Sequence, residues 1–381
     1  MKEWKKYKLG EILTVKYGKD HKKLDAGSIP VYGSGGLMRF VNSYICDSPS
    51  ILIPRKGSLN NVMYVEHPFW TVDTMFWTII DTTIAVPRFV YYAICKIDFE
   101  SLNVGSAVPS MTVPIIEDIE IFLPSLDEQI RIVKVLSSLE SKIELNRQIN
   151  DNLEQQAQAL YKSWFVDFEP FKDGEFVESE MGEIPVGWTV VKFSDLTEIP
   201  KKTINPQKFP EIIFKHYSLP ACDNGLIPEN QTGKDIMSNK IILQNNTTLF
   251  SKLNPRIKRI WFTCEVQPNS ICSTEFIPYR ATNENESGYI FSIINSEAFY
   301  ASVMGCVNGA TGSHQRFHAE DTDDFLCAYN KEAANEFSQH IDVILKQMHD
   351  LRQENVKLAS MRDTLLPKLM SGEVKINEID C

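Results

Sequence analysis

The 381-residue sequence lacks several features by which large protein classes are recognised. Its longest apolar runs, residues 75–80 and 89–95, are far shorter than the ~20 residues that cross a bilayer. The amino terminus lacks the apolar stretch of a secretory signal. Eight cysteines occur without a CxxC pair, which is typical of scattered thiols in a reducing cytosol. We therefore expect a cytoplasmic protein that contacts no membrane.

Motifs of catalysis and of metal binding are lacking as well. The chain has no Gly-x4-Gly-Lys-Ser/Thr loop and no Asn/Asp-Pro-Pro-Tyr/Phe motif, and Gly-Ser-Gly-Gly at residues 33–36 is not a dinucleotide fingerprint. The single His-x3-His spacing, His314 and His318, lacks a third ligand nearby. We expect no catalytic residue, no metal site and no cofactor bound to this chain.

Positive charge is scarce overall, with 39 Lys and Arg against 50 Asp and Glu and a net charge of −11. This balance argues against a protein that coats nucleic acid indiscriminately. The acid is concentrated in residues 165–198, which hold nine acidic and two basic side chains. Residues 1–97 hold thirteen basic and eight acidic side chains, and residues 244–264 hold four basic and no acidic ones. Basic stretches therefore remain in both halves of the chain.

The chain contains an internal repeat. Residues 4–12 (WKKYKLGEI) and 188–196 (WTVVKFSDL) share a Trp, a Lys and an acidic residue at a shift of 184. A helical pattern of ~40 residues, roughly 60 Å long, follows in each copy, and the two patterns match at a shift of 205. Apolar residues alternate there in steps of four and three, which is typical of a coiled-coil seam. We expect the two helices to pair antiparallel; the alternative is that each docks separately on its own domain.

The two helices also carry polar residues and breakers at informative positions. Asn150 and Asn355 are the matched buried polar residues expected to fix the register of the pair. Pro367 is expected to kink or end the second helix, and Gly372 to stop it. The predicted seam consists of Ile132, Leu136, Leu139, Ile143, Asn150, Leu153, Leu160, Phe337, Ile341, Ile344, Met348, Leu351, Asn355, Leu358 and Leu365.

These patterns predict an α+β (α/β) fold with two pseudo-repeated globular domains separated by a long antiparallel two-helix coiled coil. The predicted segments are a first globular domain at 1–125, a first spacer helix at 126–168, an acidic linker at 169–187, a second globular domain at 188–330, a second spacer helix at 331–372 and a tail at 373–381.

Basic residues mixed with Asn and Gln make both globular domains candidates for binding duplex DNA. Lys and Arg neutralise phosphate, Arg reads guanine, and Asn reads adenine. The candidate contacts are Lys22, Arg39, Arg55, Lys56, Asn60 and Asn61 in the first domain, and Lys252, Asn254, Arg256, Lys258, His314, Gln315 and Arg316 in the second. The alternative is a solvated surface on which Asn60 and Asn61 form a hairpin loop and Asn254 a turn.

The order of these parts resembles the DNA-specificity (S) subunits of type I restriction–modification systems. The resemblance is carried by residues 4–12 and by 123–133 (LPSLDEQIRIV), 182–188 (GEIPVGW), 249–257 (LFSKLNPRI), 272–276 (CSTEF) and 309–316 (GATGSHQR). The second domain departs from the pattern where it meets its helix. Residues 326–333 read LCAYNKEA there, without the Pro and Gln of the first copy, so the two junctions are not equivalent.

The resemblance implies a non-catalytic chain with two target-recognition domains at opposite ends of the coiled coil, each reading one half of a bipartite double-stranded DNA target. It implies two docked methyltransferase (M) subunits, joined by restriction (R) subunits, with AdoMet, ATP and Mg²⁺ bound by those partners. Gln129, Arg147 and Gln155 on the outer helix faces are expected to hold the M subunits. Packing against the linker is the alternative role of Trp164 and Phe165.

The helices would then set the gap between the two halves of the target. One added heptad in both helices, roughly 10 Å, would widen the spacer by about three base pairs. A second hypothesis is a coiled-coil scaffold or adaptor that binds proteins through its globular ends, which leaves the Lys/Arg/Asn-rich loops unexplained. A third, a stand-alone enzyme acting on nucleic acid, requires motifs that the sequence lacks.

Overall fold

The computed structural model describes residues 4–105, 109–307, 315–374 and 376. The chain divides into two compact units, one formed by residues 1–141 with 358–381 and the other by residues 142–357. Each unit combines β-sheets with helices, and each of the two long helices contributes a part to both units. The predicted α+β class is confirmed.

The first unit is built on a four-stranded sheet in the order β2-β8-β5-β6 and a three-stranded sheet in the order β4-β3-β7. Its elements are β1 (Lys5–Lys8), α1 (Leu9–Ile12), β2 (Leu13–Tyr17), β3 (Ile29–Gly33), β4 (Gly36–Val41), β5 (Ser50–Pro54), β6 (Met63–Val65), β7 (Trp70–Thr71), β8 (Met75–Ile80), α2 (Pro87–Ile94), α3 (Val113–Glu117), β9 (Glu120–Leu123) and the start of α4 (Leu126–Phe165). The apolar strand β5 is buried along its whole length, because it pairs on both sides within the larger sheet.

The second unit has the corresponding four-stranded sheet, β13-β21-β18-β19, and a five-stranded sheet, β14-β17-β20-β15-β16. Its strands are β10 (Phe176–Ser179), β11 (Gly182–Pro185), β12 (Thr189–Lys192), β13 (Thr197–Glu198), β14 (Thr203–Ile204), β15 (Ile213–Tyr217), β16 (Glu229–Thr232), β17 (Lys240–Ile242), β18 (Thr247–Ser251), β19 (Ile260–Thr263), β20 (Ser270–Cys272), β21 (Phe276–Ala281) and β22 (Leu326–Tyr329). Its α-helices are α5 (Phe193–Leu196), α6 (Leu219–Asp223), α7 (Ser287–Asn295), α8 (Glu297–Cys306) and α9 (Lys331–Met370). Short 3-10 turns occur at Glu169–Phe171, Pro206–Lys208, Gly233–Asp235, Glu284–Glu286 and Ala319–Thr322.

Strand register confirms the internal repeat. Lys5 lies opposite Leu123 in the β1–β9 pair, and Thr189 lies opposite Tyr329 in the β12–β22 pair. Shifts of 184 and 206 therefore relate the two pairs residue for residue. Equivalent ion pairs follow, from Lys8 Nζ to Asp118 at 2.5 Å in the first unit and from Lys192 Nζ to Asp324 at 2.6 Å in the second. The same backbone frame was thus retained although few side chains match.

The long helices α4 and α9 are each 40 residues long and begin at the predicted shift of 205. Within the first unit, Ile132 near the start of α4 shares a core with Leu369 near the end of α9. Within the second unit, Phe165 at the end of α4 lies 5.0 Å, between ring centroids, from Phe337 near the start of α9. The pairing is antiparallel in both units, and every predicted seam side chain is buried or half-buried.

The two asparagines expected to fix the register, Asn150 and Asn355, differ in their hydrogen bonds. The Asn146 amide donates to Asn355 Oδ1 at 2.9 Å and to Glu354 at 2.6 Å, and the Asn355 amide donates to the Ile143 carbonyl at 3.3 Å. Asn150 is buried, but its Oδ1 has no hydrogen-bond partner among the residues described. Asn355 is therefore hydrogen-bonded to Asn146, one turn before its repeat equivalent Asn150.

The carboxyl-terminal end of α9 corrects one expectation and confirms another. Pro367 lies inside the helix, which continues to Met370, because a proline in the last turn removes only one hydrogen bond. Gly372 stops the helix: its φ is 72°, and its N–H donates to the Leu369 carbonyl at 3.3 Å.

The acidic segment 169–187 is ordered rather than a plain linker. It contains the β10–β11 hairpin, and Phe171 within it lies 5.0 Å from Trp188 and 5.9 Å from Trp164, between ring centroids. Phe165 lies 5.4 Å from Trp188 in the same aromatic cluster. Packing of Trp164 against this segment is therefore confirmed, whereas Phe165 packs against Trp188, just after it. The segment contributes to the core of the second unit through Ile184, Phe171 and Phe176.

Candidate nucleic-acid interface

In the first unit, the turn that follows the central strand β5 presents basic side chains. Residues 109–111 run alongside it: the Gly57 N–H donates to the Pro109 carbonyl at 3.2 Å, and the Met111 N–H donates to the Arg55 carbonyl at 2.9 Å. Gly57 adopts a φ of 88°, which glycine tolerates without steric cost. The turn is therefore rigidly placed, and it leaves Lys56 exposed.

The second unit repeats this arrangement after its own central strand, β18. The Asn254 N–H donates to the Gln315 carbonyl at 2.8 Å, and the Phe317 N–H donates to the Lys252 carbonyl at 3.4 Å. Asn254 has a φ of 49°, in the left-handed region that Asn tolerates better than most residues. Two basic segments far apart in the sequence, around 252–256 and 315–316, are thereby brought together.

The predicted cations of the first unit differ in how free they are. Lys22 and Lys56 are exposed, and neither takes part in an ion pair within the part of the chain that the structure describes. The Arg55 guanidinium lies 5.4 Å from the Tyr17 ring centroid and donates to the Asp73 carbonyl at 3.2 Å. Arg39 donates to the Leu24 carbonyl at 2.7 Å, so it ties β4 to the 18–28 loop.

The amides of Asn60 and Asn61 are occupied by contacts within the unit. Asn60 donates to Asp98 at 3.2 Å, and Asn61 donates to the Ser34 carbonyl at 2.8 Å. These bonds shape the 55–62 loop, as the hairpin-loop alternative anticipated. An amide that already donates within the protein has lost part of the bidentate capacity that reading adenine requires.

In the second unit two of the predicted contacts are engaged and one is free. Arg316 makes a two-pronged contact with Glu275, both distances being 3.2 Å. Lys258 is exposed along its stem, but its ammonium donates to the Asn295 carbonyl at 2.6 Å, and desolvation there lowers the pKa of Lys258. Arg256 is exposed, whereas Lys252 is half-buried.

The remaining two predicted contacts of the second unit lie in or beside a stretch outside the described residues. His314 lies outside them. Gln315 is half-buried, and its Oε1 has no hydrogen-bond partner within the described chain. Among the residues described, no group of three or more His, Cys, Asp or Glu side chains is placed to hold a metal ion. None of the helices in that part of the chain has both the length and the apolar character needed to cross a membrane.

Comparisons with known proteins agree with this geometry. A family model described as "Type I restriction modification DNA specificity domain" matches residues 1–155. The type I restriction enzyme MjaIX specificity subunit of Methanocaldococcus jannaschii is 24% identical over 351 residues, which cover 87% of this chain and 78% of that protein. Residues 1–155 therefore match the DNA specificity domain of type I restriction–modification systems, and the chain is similar to their specificity subunits over most of its length.

Two further similarities concern part of the chain and its fold. The HindI specificity subunit of Haemophilus influenzae is 45% identical over 64 residues, 17% of this chain and 14% of that protein. The crystal structure of the type I S subunit from M. genitalium matches with a TM-score of 0.59 at 15% identity and covers 96% of both chains. At that identity the structural match supports the fold alone.

One residue expected on the outer face of α4 lies elsewhere. Gln129 is fully buried: its amide donates to the Pro124 carbonyl at 3.0 Å and to the Ile84 carbonyl at 3.2 Å, and its oxygen accepts from the Val86 N–H at 2.8 Å. It fastens α4 to the first globular domain and cannot hold an M subunit. Arg147 and Gln155 are exposed, as that role requires.

One exposed feature of the first unit was not predicted from the sequence. Leu37, Met38 and Phe40 on β4 are 55%, 55% and 49% exposed. Apolar residues in a strand pattern ordinarily predict burial, so no local signal distinguishes these from core residues. The glycine-rich turn at residues 33–36, which precedes β4, indicates only that a hairpin begins there.

Proposed function

We propose that the chain recognises a bipartite double-stranded DNA target, one half-site per globular domain, and directs methyltransferase and restriction subunits to it. The duplicated basic turn supports this most strongly. In both domains the residue pair after the central strand is held by equivalent backbone hydrogen bonds to a second segment, with a left-handed residue at the same place (Gly57 and Asn254). A protein that reads two half-sites needs such a matched pair of surfaces.

The side chains divide into two roles by their freedom. Lys22, Lys56 and Arg256 carry exposed charges suited to phosphate, because a phosphate contact needs charge and reach but no fixed geometry. The Arg55 guanidinium is held against the Tyr17 ring, which fixes its plane before it meets a base. Arg316 is held by Glu275 and can exchange that carboxylate for a base or a phosphate. Lys252, Lys258 and Gln315 complete the second surface as supporting residues.

The partners follow from the family. The chain acts in the cytoplasm without chemistry of its own, and AdoMet, ATP and Mg²⁺ are bound by the M and R subunits. Two M subunits and the R subunits assemble on it, and the exposed Arg147 and Gln155 of α4 are candidate contacts for an M subunit.

The test is a methylome. The full chain is co-expressed with its M subunit in a host that lacks adenine methylation, and long-read sequencing determines which adenines become modified. A split adenine-methylated motif is the expected result. A matched expression with Lys56→Ala and Arg256→Ala in one chain is expected to lower the methylated fraction at the same motif. No new methylation, from an M subunit that methylates when given another specificity subunit, would favour the adaptor hypothesis instead.

A further inference from the structure

The strand β4 is an edge strand with unusual chemistry. Within the part of the chain that the structure describes, it pairs with β3 alone in the sheet β4-β3-β7, so its other edge is open there. Natural edge strands are usually blunted with charged residues or proline, because an open apolar edge invites aggregation. Leu37, Met38 and Phe40 are nevertheless half exposed along this edge. An apolar ridge kept at such a position indicates a binding surface.

A β-bulge orients one of these side chains. Val31 lies opposite Arg39 and Tyr32 lies opposite Leu37, so Met38 has no partner across the ladder. Bulges of this kind turn a side chain away from the regular pleat. A Cβ built on Gly33 would lie 2.6 Å from Met38 Sδ, so the absent side chain of Gly33 is what leaves room for the Met38 thioether.

The ridge lies next to the basic turn of the first domain. The Asn61 amide donates to the Ser34 carbonyl in the β3–β4 turn at 2.8 Å, and a Cβ built on Gly57 would lie 2.9 Å from Ser34 Oγ. Residues 16–62, which contain both features, carry seven Lys and Arg against three Asp. The apolar ridge is therefore set within a surface that attracts a polyanion, which favours nucleic acid over an apolar protein partner as its occupant.

We propose that the β3–β4 ribbon enters the major groove of the first half-site and that Leu37 and Met38 contact thymine C5-methyl groups. A two-stranded ribbon fits the major groove, and the thymine methyl is the one base-edge group there that apolar side chains recognise. This inference rests on the proposed function. The strand at the same sheet position in the second domain, β16, reads Glu-Asn-Gln-Thr and carries no apolar ridge. The equivalent strand of the second domain therefore offers no such contact, and we expect the methyl contacts of this ribbon in the first half-site.

The experiment removes the methyl group from the DNA. The complex of the full chain with its M subunit is titrated against duplexes bearing the methylated motif, in which each thymine is replaced in turn by deoxyuridine. Base pairing is unchanged, and only the C5-methyl is lost. We expect about fourfold weaker binding at each contacted thymine, all in one half-site, since a buried methyl is worth about 0.8 kcal/mol.

Variants of the ridge test whether Leu37 and Met38 cause the weaker binding of the uracil duplexes. Leu37→Ala and Met38→Ala are each expected to bind the thymine duplex more weakly and to abolish the uracil effect at one position. Gly33→Ala displaces the Met38 thioether, the flexible end of a side chain, and is expected to act like Met38→Ala while the fold is kept. Asn230→Ala, at the exposed position of β16, is the matched control, and it should preserve the uracil effect unchanged.

The outcomes separate this inference from the function on which it rests. If the complex methylates a split motif but uracil substitution has no effect, or if the ridge variants keep the full uracil effect, methyl recognition is overturned. Unstacked base steps in the bound DNA without uracil sensitivity would likewise overturn it, in favour of a wedge. Failure to bind or methylate any split motif contradicts the proposed function instead.

Discussion

The two globular domains share a backbone frame and differ in what is attached to it. In the first, β3 runs parallel to β7, with Val31 opposite Trp70; in the second, β15 runs parallel to β20, with His216 opposite Ile271. Around this common pair the first domain has one further strand, whereas the second has three. Insertions have therefore entered at the sheet edges, where added strands leave the existing hydrogen-bonded ladder intact.

The turn after the central strand shows which feature of the frame is held constant. Gly57 and Asn254 have different side chains but the same left-handed backbone. Both residue types enter that region at low cost, so backbone conformation is retained while side-chain chemistry varies. This separation suits a protein whose two domains must present different contacts from one scaffold.

The largest expected effect concerns the core that joins each domain to its helix. Ile132 and Phe337 are equivalent at the shift of 205 and both are buried. We expect Phe337→Ala to destabilise the second unit by about 3–5 kcal/mol and Ile132→Ala the first by about 2–5 kcal/mol, because each leaves a cavity. Hydrogen exchange measures this: amides of β12 should lose protection in the first variant and those of β1 in the second. Equal loss of protection in both units from either variant would contradict the two-unit division.

A smaller effect is expected where the two copies differ in the seam. Asn146 pairs with Asn355, but their repeat equivalents are Leu351 and Asn150. Asn355→Ala should destabilise the helix pair by about 1–3 kcal/mol, since the buried Asn146 amide loses a partner. Replacing both Asn146 and Asn355 by Leu should recover stability, because neither buried amide of this pair is then left without its partner. Chemical denaturation followed by circular dichroism compares the three chains, and a double variant less stable than the single one would contradict this explanation.

The next comparison concerns phosphate contacts. We expect Lys56→Ala in the first domain and Arg256→Ala in the second each to weaken DNA binding and to reduce the salt dependence by about one counterion. The methylated motif should remain the same in both, because phosphate contacts carry no sequence information. Salt titrations of the complex with its M subunit provide the measurement. A changed motif in either variant would identify that residue as a base reader.

The smallest effect is expected for the equivalent ion pairs Lys8–Asp118 and Lys192–Asp324. Both pairs are solvent-exposed, and exposed pairs contribute little to stability. Lys8→Ala and Lys192→Ala should therefore leave the Tm unchanged within error at physiological salt. A clear drop in Tm for one variant alone would show that the two copies of the β-strand pair differ more than their shared register indicates.

The sequence by itself determined the features that are written in local spacing. The two 40-residue helices, their shift of 205 and their seam follow from steps of four and three along the chain. The repeated Trp, Lys and acidic residue at a shift of 184 marked the first strand of each domain correctly. Such patterns can be read without the fold because neighbours in the sequence create them.

Only the tertiary structure decided which polar and apolar groups are free to act. The buried Gln129 amide donates to the carbonyls of residues 84 and 124. Asn61 is hydrogen-bonded to Ser34, and Arg316 to Glu275. Leu37 and Met38 on β4 are half exposed because little of the described chain packs against their side chains. Whether each of these side chains is buried, bonded or exposed depends on which residues, remote in the sequence, the fold places beside it. Availability for binding is therefore a property of long-range contacts, which residue spacing does not record.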